Sequence, residues 1–182
     1  MKNVLSAFLG LIKVLVIKLL HRSSITFDLY IKVAPSSKIE LLSKGKICLE
    51  KGCSVGKSCE LASVAGNISI GRNVHIGDYG IMIARKEISI GENTMFGPHV
   101  YIFDHDHVIS DGKALRDKFT TSSICIGKNV WVGANTVILK GTRIGDNCVI
   151  AAGSIVSGVV PDNSMFVQRR RTSVISNAKK AE

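Results

Sequence analysis

Aromatic residues are scarce, at 5% of 182 residues with a single tryptophan. So few rings offer no base-stacking surface, and no recognised nucleic-acid motif is present. The excess of 24 Lys and Arg over 14 Asp and Glu therefore does not point to DNA or RNA. The five cysteines show no paired metal-binding or redox spacing, and their odd number argues against the disulfide framework of a secreted domain. A reducing cytoplasm follows. Proline is limited to three residues, and with the chain length this fits one domain with short ends. No long apolar run is free of charge. The most apolar stretch, residues 4–20, contains Lys13 and Lys18, so it is short and doubly charged for a spanning helix. It also lacks the uncharged core and small-residue cleavage site of a signal peptide.

What the sequence does have is a beat of six. A branched apolar residue returns at Ile126, Val132, Ile138, Ile144, Ile150 and Val156. Earlier runs are looser: Leu49, Val55 and Leu61; then Val64, Ile70, Ile76 and Met82; then Ile90, Phe96 and Ile102. A second position, four after an apolar residue, is small or β-branched at Val74, Thr94, Val100, Val130, Thr136, Thr142, Cys148 and Ser154. A period of six fits neither an amphipathic helix nor an alternating strand. It is the signature of a parallel β-helix whose coils stack, left-handed for this repeat type. Glycine follows many of the inward residues, as at Gly91, Gly97, Gly127, Gly133 and Gly145. There it is expected to supply turn angles that other residues resist. Cys53, Cys59 and Cys148 sit in the small slot and read as buried packing residues.

Three regions follow: an apolar or amphipathic helix over residues 1–24, the β-helix over 25–164 with an excursion at 103–123, and a basic tail at 165–182. Basic residues gather at both ends, among them Lys2, Lys13, Lys18, Arg22, Arg169, Arg170 and Arg171. That suits an anionic membrane surface or a phosphate-bearing cofactor. On a helical wheel Lys2, Ser6, Gly10 and Lys13 share one side. The helix reads either as an interfacial segment on the inner face of the membrane or as a cap over the open end of the coil.

The beat fades after Val108, and residues 109–123 are polar. Just before them stands Phe103-Asp104-His105-Asp106-His107. Insertions in solenoids map to a binding face, and two histidines with two aspartates at the root of one offer acid–base chemistry. A neutral imidazole accepts a hydroxyl proton near neutral pH while a carboxylate fixes its tautomer. Strand alternation would put His105 and His107 on one side and Asp104 and Asp106 on the other.

The stretch FGPHVYIFDHDH, followed by a loop and then ICIGKNVWVGANTVILKGTRIGDNCVIAAGSIVSG, resembles the hexapeptide-repeat acetyltransferases over residues 64–164. The nearest branch is that of the galactoside and maltose acetyltransferases and the sugar O-acetyltransferases of surface-polysaccharide synthesis. The resemblance implies a left-handed β-helix, a homotrimer, acetyl-CoA as co-substrate with no metal, a carbohydrate acceptor and one histidine as general base. Laid without gaps from Gly97-Pro98, the family's histidine falls on His107, with His105 second and Asp104 or Asp106 as the orienting group. Trp131, Ala134, Ala152, Gly153, Ser157 and Gly158 match positions along the family's cofactor groove, and the tail arginines, Arg170 among them, would suit CoA phosphates. A cytoplasmic protein, at most peripheral on the inner face of the membrane, is implied.

The chain also departs from that pattern. The family's closing turn is replaced by Ser164-Met165-Phe166-Val167-Gln168, His99 stands where asparagine is common, and the acceptor-gripping residues have no clear counterpart around Tyr79 to Arg85. The acceptor is therefore not carried over. Other readings are N-acetylation of an amino sugar, a γ-type carbonic anhydrase using His105, His107 and either His75 or His99, and a non-enzymatic scaffold.

Overall fold

In a computed structural model that describes residues 2–21, 23–28 and 30–169, the chain is a left-handed parallel β-helix closed at one end by a helix. Helix α1 spans Lys2–Leu20. The first rung is β1 (Ile25–Phe27), β2 (Lys32–Val33) and β3 (Lys38–Leu42). The second is β4 (Lys46–Leu49), β5 (Ser54–Val55) and β6 (Glu60–Val64), and the third β7 (Asn67–Ile70), β8 (His75–Ile76) and β9 (Ile81–Ala84). The fourth is β10 (Glu87–Ile90), β11 (Met95–Phe96) and β12 (Tyr101–Phe103). A hairpin then intervenes, β13 (His105–Ser110) and β14 (Lys113–Thr121). The coil resumes with β15 (Ile124–Ile126), β16 (Trp131–Val132) and β17 (Val137–Ile138), then β18 (Arg143–Ile144), β19 (Val149–Ile150) and β20 (Ile155–Val156), and a last partial rung of β21 (Val159–Val160) and β22 (Met165–Phe166). First, second and third strands of the rungs stack into three parallel sheets, here faces one, two and three.

The beat of six is the triangular cross-section. Each rung turns one residue of each face inward, so Ile126, Val132 and Ile138 are buried one per face, and Ile144, Ile150 and Val156 repeat them one rung on. The second slot fills the corners: Thr94, Thr136, Thr142 and Ser154 are buried, and each hydroxyl donates to a backbone carbonyl, as Thr136 does to Gly133 at 2.7 Å. Cys53, Cys59 and Cys148 are buried there too, and burial pushes the Cys53 and Cys59 thiols up from their ordinary range. The looser early beat also has a cause. Ile68 pairs with Ile88, 20 residues on, whereas Ile126 pairs with Ile144, 18 residues on. The longer early rungs turn an additional residue of face one inward, seen in the buried Ile47, Ile68 and Ile88.

The expected role of the repeat glycines is corrected. Gly91, Gly97, Gly127, Gly133 and Gly145 do not have left-handed backbone angles; those fall on asparagines such as Asn93, Asn129 and Asn147, and on Tyr79 and His99. The glycines are required by close approach of successive rungs. A Cβ on Gly91 would lie 2.6 Å from the Gly127 carbonyl carbon, and one on Gly133 2.5 Å from the Ala152 nitrogen. Gly91→Ala should therefore cost about 1–3 kcal/mol through overpacking. The denaturation midpoint checks this, and an unchanged midpoint would restore the dihedral explanation.

Helix α1 lies across the mouth of the first rung. Val14 is fully buried in the core, and Gly10 meets the backbone of face two so closely that a Cβ would fall 1.8 Å from the Val33 carbonyl oxygen. Lys13 Nζ donates to the carbonyl of Pro35 at 2.9 Å and to that of Ser37. Carbonyls left open at the end of the stack are thus satisfied by a cation.

Candidate active site

The excursion is an ordered antiparallel hairpin rather than an irregular loop. Asp111 and Gly112 both have positive φ (51° and 72°) and join Ser110 to Lys113 as a two-residue turn. Asp-Gly is a favoured pair for such turns, so this dipeptide was a readable hairpin signal. The hairpin leaves the coil at the corner between faces three and one, and the Ser122 N–H closes its base on the Asp104 carbonyl at 2.9 Å.

Asp104 anchors that base. It is fully buried, and its carboxylate accepts N–H groups from the corner of the rung below: Arg85 at 2.8 Å, Lys86 at 2.7 Å and Glu87 at 2.7 Å. The same Oδ1 lies 3.1 Å from His105 Nδ1. Asp104 is thus enclosed by its own partners and has no exposed surface. Asp106 points the other way, exposed, and pairs with Lys140 at 3.0 Å.

His105 and His107 share the strand face that borders a cleft of about 640 Å³ on face three, as alternation requires. Both have Nδ1 engaged. His107 Nδ1 is 3.0 Å from the Leu115 carbonyl, which can only accept, so Nδ1 carries a proton and in the neutral ring the lone pair is on Nε2. The Asp104 carboxylate imposes the same tautomer on His105. The two differ in access. The His105 side chain is 13% exposed and held edge-on by Phe103 and Phe119, whereas His107 is exposed.

Residues outside the His–Asp motif complete the cleft. Phe119 faces His107 across the hairpin, with ring centroids 4.6 Å apart, and the Arg85 guanidinium carbon lies 3.4 Å from the Phe119 centroid. Arg116, Asp117, Glu40 and Glu60 line the same space. Phe119 is the only aromatic residue among 109–123, which was a usable clue; Arg85 enters only because the rungs stack.

The cofactor candidates fall into separate places. Trp131 is 54% exposed on face two, beside Met95 and Val149, at a groove of about 440 Å³ that includes Gly97 and Pro98. Ala134, Ala152 and Gly153 stack at the next corner, where Gly153 N–H donates to the Ala134 carbonyl at 2.8 Å. Those four candidates adjoin one another. Ser157 and Gly158 lie at the hairpin's corner instead, Gly158 with φ 80° and open space beside it. Arg170 lies outside the described residues. Face three therefore separates the histidines from the Trp131 groove within one copy. His75 and His99, the third ligands that a zinc site would need, lie on face two and at the corner beyond it, His99 stacked on Tyr79.

Comparison with known proteins accords with this geometry. The bacterial transferase hexapeptide (six repeats) family matches residues 126–158. A galactoside O-acetyltransferase of Lactococcus lactis is 34% identical over 136 residues, covering 71% of this chain and 62% of that protein. A putative lipopolysaccharide biosynthesis O-acetyl transferase of Escherichia coli, WbbJ, is 33% identical, covering 56% of each. The chain thus spans a little over half the length of these relatives. Among solved structures, a galactoside acetyltransferase in complex with coenzyme A is 33% identical, with a TM-score of 0.50 over 54% of this chain and 49% of that one. An N-acyltransferase from Bacillus cereus, AntD, superposes with a TM-score of 0.65 over 80% of both chains at 16% identity, which speaks for the fold alone.

Proposed function

From the hexapeptide-repeat match and the similarity to sugar acetyltransferases, we propose that the chain is an acetyl-CoA-dependent O-acetyltransferase of the bacterial hexapeptide-repeat kind. Its acceptor in this reading is a sugar hydroxyl of a cell-surface polysaccharide or its precursor. The observation that carries the proposal is the pair of imidazoles at the hairpin root, each with Nδ1 engaged and Nε2 free toward one cleft.

His107 Nε2 takes the proton of the acceptor hydroxyl as its oxygen attacks the thioester carbonyl. The tetrahedral centre collapses with loss of the CoA thiolate, which receives the proton. No acyl-enzyme is required when both substrates are held in line, and burial leaves Cys53 and Cys59 poor nucleophiles. Asp104 fixes the hairpin and His105; it does not touch the reacting atoms. Trp131, Ala134, Ala152 and Gly153 form the side of the solenoid on which an extended pantetheine lies. Ser157 and Gly158, at the hairpin's corner, and Arg170 are assigned to the cofactor on the opposite side, where a neighbouring copy would bring it. Because face three separates that side from His107, a homotrimer in which the groove of one copy meets the hairpin of the next is part of the proposal. So are a cytoplasmic location and peripheral attachment to the inner face of the membrane.

The deciding experiment follows free thiol released from acetyl-CoA by the purified protein against sugars and envelope glycans. Release that depends on an acceptor and on His107 is expected. Absence of both cofactor binding and turnover would sink the enzyme reading and leave a scaffold.

A further inference from the structure

Helix α1 is inverted relative to an ordinary surface helix. Its inward stripe holds Gly10, Lys13, Val14 and Ile17 against the first rung, so the Lys13 cation faces protein with its ammonium on backbone carbonyls, while Lys18 is exposed beside the Phe27 ring. Its outward stripe is wholly apolar: Phe8, Ile12, Leu15, Val16, Leu19 and Leu20 are between 40% and 72% exposed. They recur at helical spacing and make one continuous face. A cap in contact with water alone would have the reverse arrangement.

The surroundings of that face say what covers it. Residues 1–51 contain nine Lys and Arg against three Asp and Glu, more than half of the net charge of +10. The exposed members ring the mouth: Lys18 on the helix, Lys32 on face two, Lys38 on face three and Lys44 at the corner beyond. No described helix is long and apolar enough to cross a membrane. An apolar face bordered by cations, too short to span, matches the interface of an anionic bilayer.

We infer that the outward face of α1 is a docking surface for an anionic lipid bilayer and that the solenoid stands upright on it. Because the helix lies across the mouth, the stack rises away from the lipid at about 4.8 Å per rung. The hairpin root at Asp104 leaves the fourth rung, roughly 14 Å above the first, and Trp131 in the fifth stands roughly 19 Å above it. This deepens the peripheral attachment proposed above; it stands on the helix and the cations around it, and its failure would leave the acetyl-transfer reading untouched.

The test uses the full chain with vesicles of phosphatidylcholine containing phosphatidylglycerol, or of phosphatidylcholine alone. Sedimentation with the anionic vesicles is expected, at least about tenfold tighter than with the zwitterionic ones. The double variant Leu15→Glu/Leu19→Glu should stay in the supernatant with its melting temperature unchanged, because neither side chain enters the core. Brominated lipid should quench the added emission of Phe8→Trp and leave that of Trp131 unquenched. Wild-type protein that remains in the supernatant, or a double variant that binds as before, overturns the inference. So does end-to-end association of the protein without lipid that buries the same face. Quenching of Trp131 overturns the upright geometry.

Discussion

His107→Ala is expected to lower turnover by about 10²–10⁴-fold, the usual contribution of a positioned general base, while the fold and CoA binding persist. The reason lies in what the ring touches. Its Nδ1 is committed to the Leu115 carbonyl, its neighbour Phe119 lies on the hairpin rather than in the coil, and it is exposed to the cleft. Removing it takes a base from the cleft without opening the core. Steady-state thiol release with the preferred acceptor measures the effect, and equilibrium CoA binding provides the control. His105→Ala separates the two imidazoles. If that variant abolishes turnover while His107→Ala retains it, the base is His105, held by Asp104.

The largest expected loss of stability comes from Asp104→Ala. Three backbone N–H groups, of Arg85, Lys86 and Glu87, lose one charged acceptor together. Hydrogen bonds to charged groups contribute roughly 1.5–3 kcal/mol each, and water reaching the part-buried corner offsets some of the loss. The net cost should be about 3–5 kcal/mol, the scale of breaking a buried ionic contact. Chemical denaturation at fixed protein concentration reads it, since assembly would otherwise shift the midpoint. Asp104→Asn keeps the shape but turns one acceptor into a donor facing the same N–H groups, so it should fall between wild type and alanine. A midpoint unmoved in the alanine variant would show that the carboxylate is dispensable.

The solenoid was legible because its physics repeats. One inward residue per face makes a period that no helix or simple strand imitates, and Ile126 to Val156 display it without interruption. The site was legible only in part. His105 and His107 stood out as a motif, and alternation placed them together. The anchoring of Asp104 did not, because its partners are backbone N–H groups 17 to 19 residues earlier, and backbone donors have no residue signature. Arg85 reaches Phe119 through the same stacking. Nor does the sequence show that Trp131 and His107 stand on opposite sides of face three, since that depends on which corner each turn occupies. The glycines misled for a related reason: the constraint comes from the neighbouring rung and not from the local turn.

The hairpin departs and returns at a single corner. Asp104 and Ser122 are hydrogen-bonded as directly as the two ends of a tight turn, and Ile88 stacks on Ile124 in the register that it keeps with Ile68 below. The stacking of the coil is therefore continuous across the excursion, and side chains of the hairpin meet it only at its flanks, as Asp106 does at Lys140 and Phe119 at Arg85. Substitutions in the hairpin away from His105 and His107 are expected to cost the scaffold little stability, and a grafted hairpin of other length should leave the coil folded. The molecule is thus two nearly separable modules, a spool and a reader, joined at one buried carboxylate.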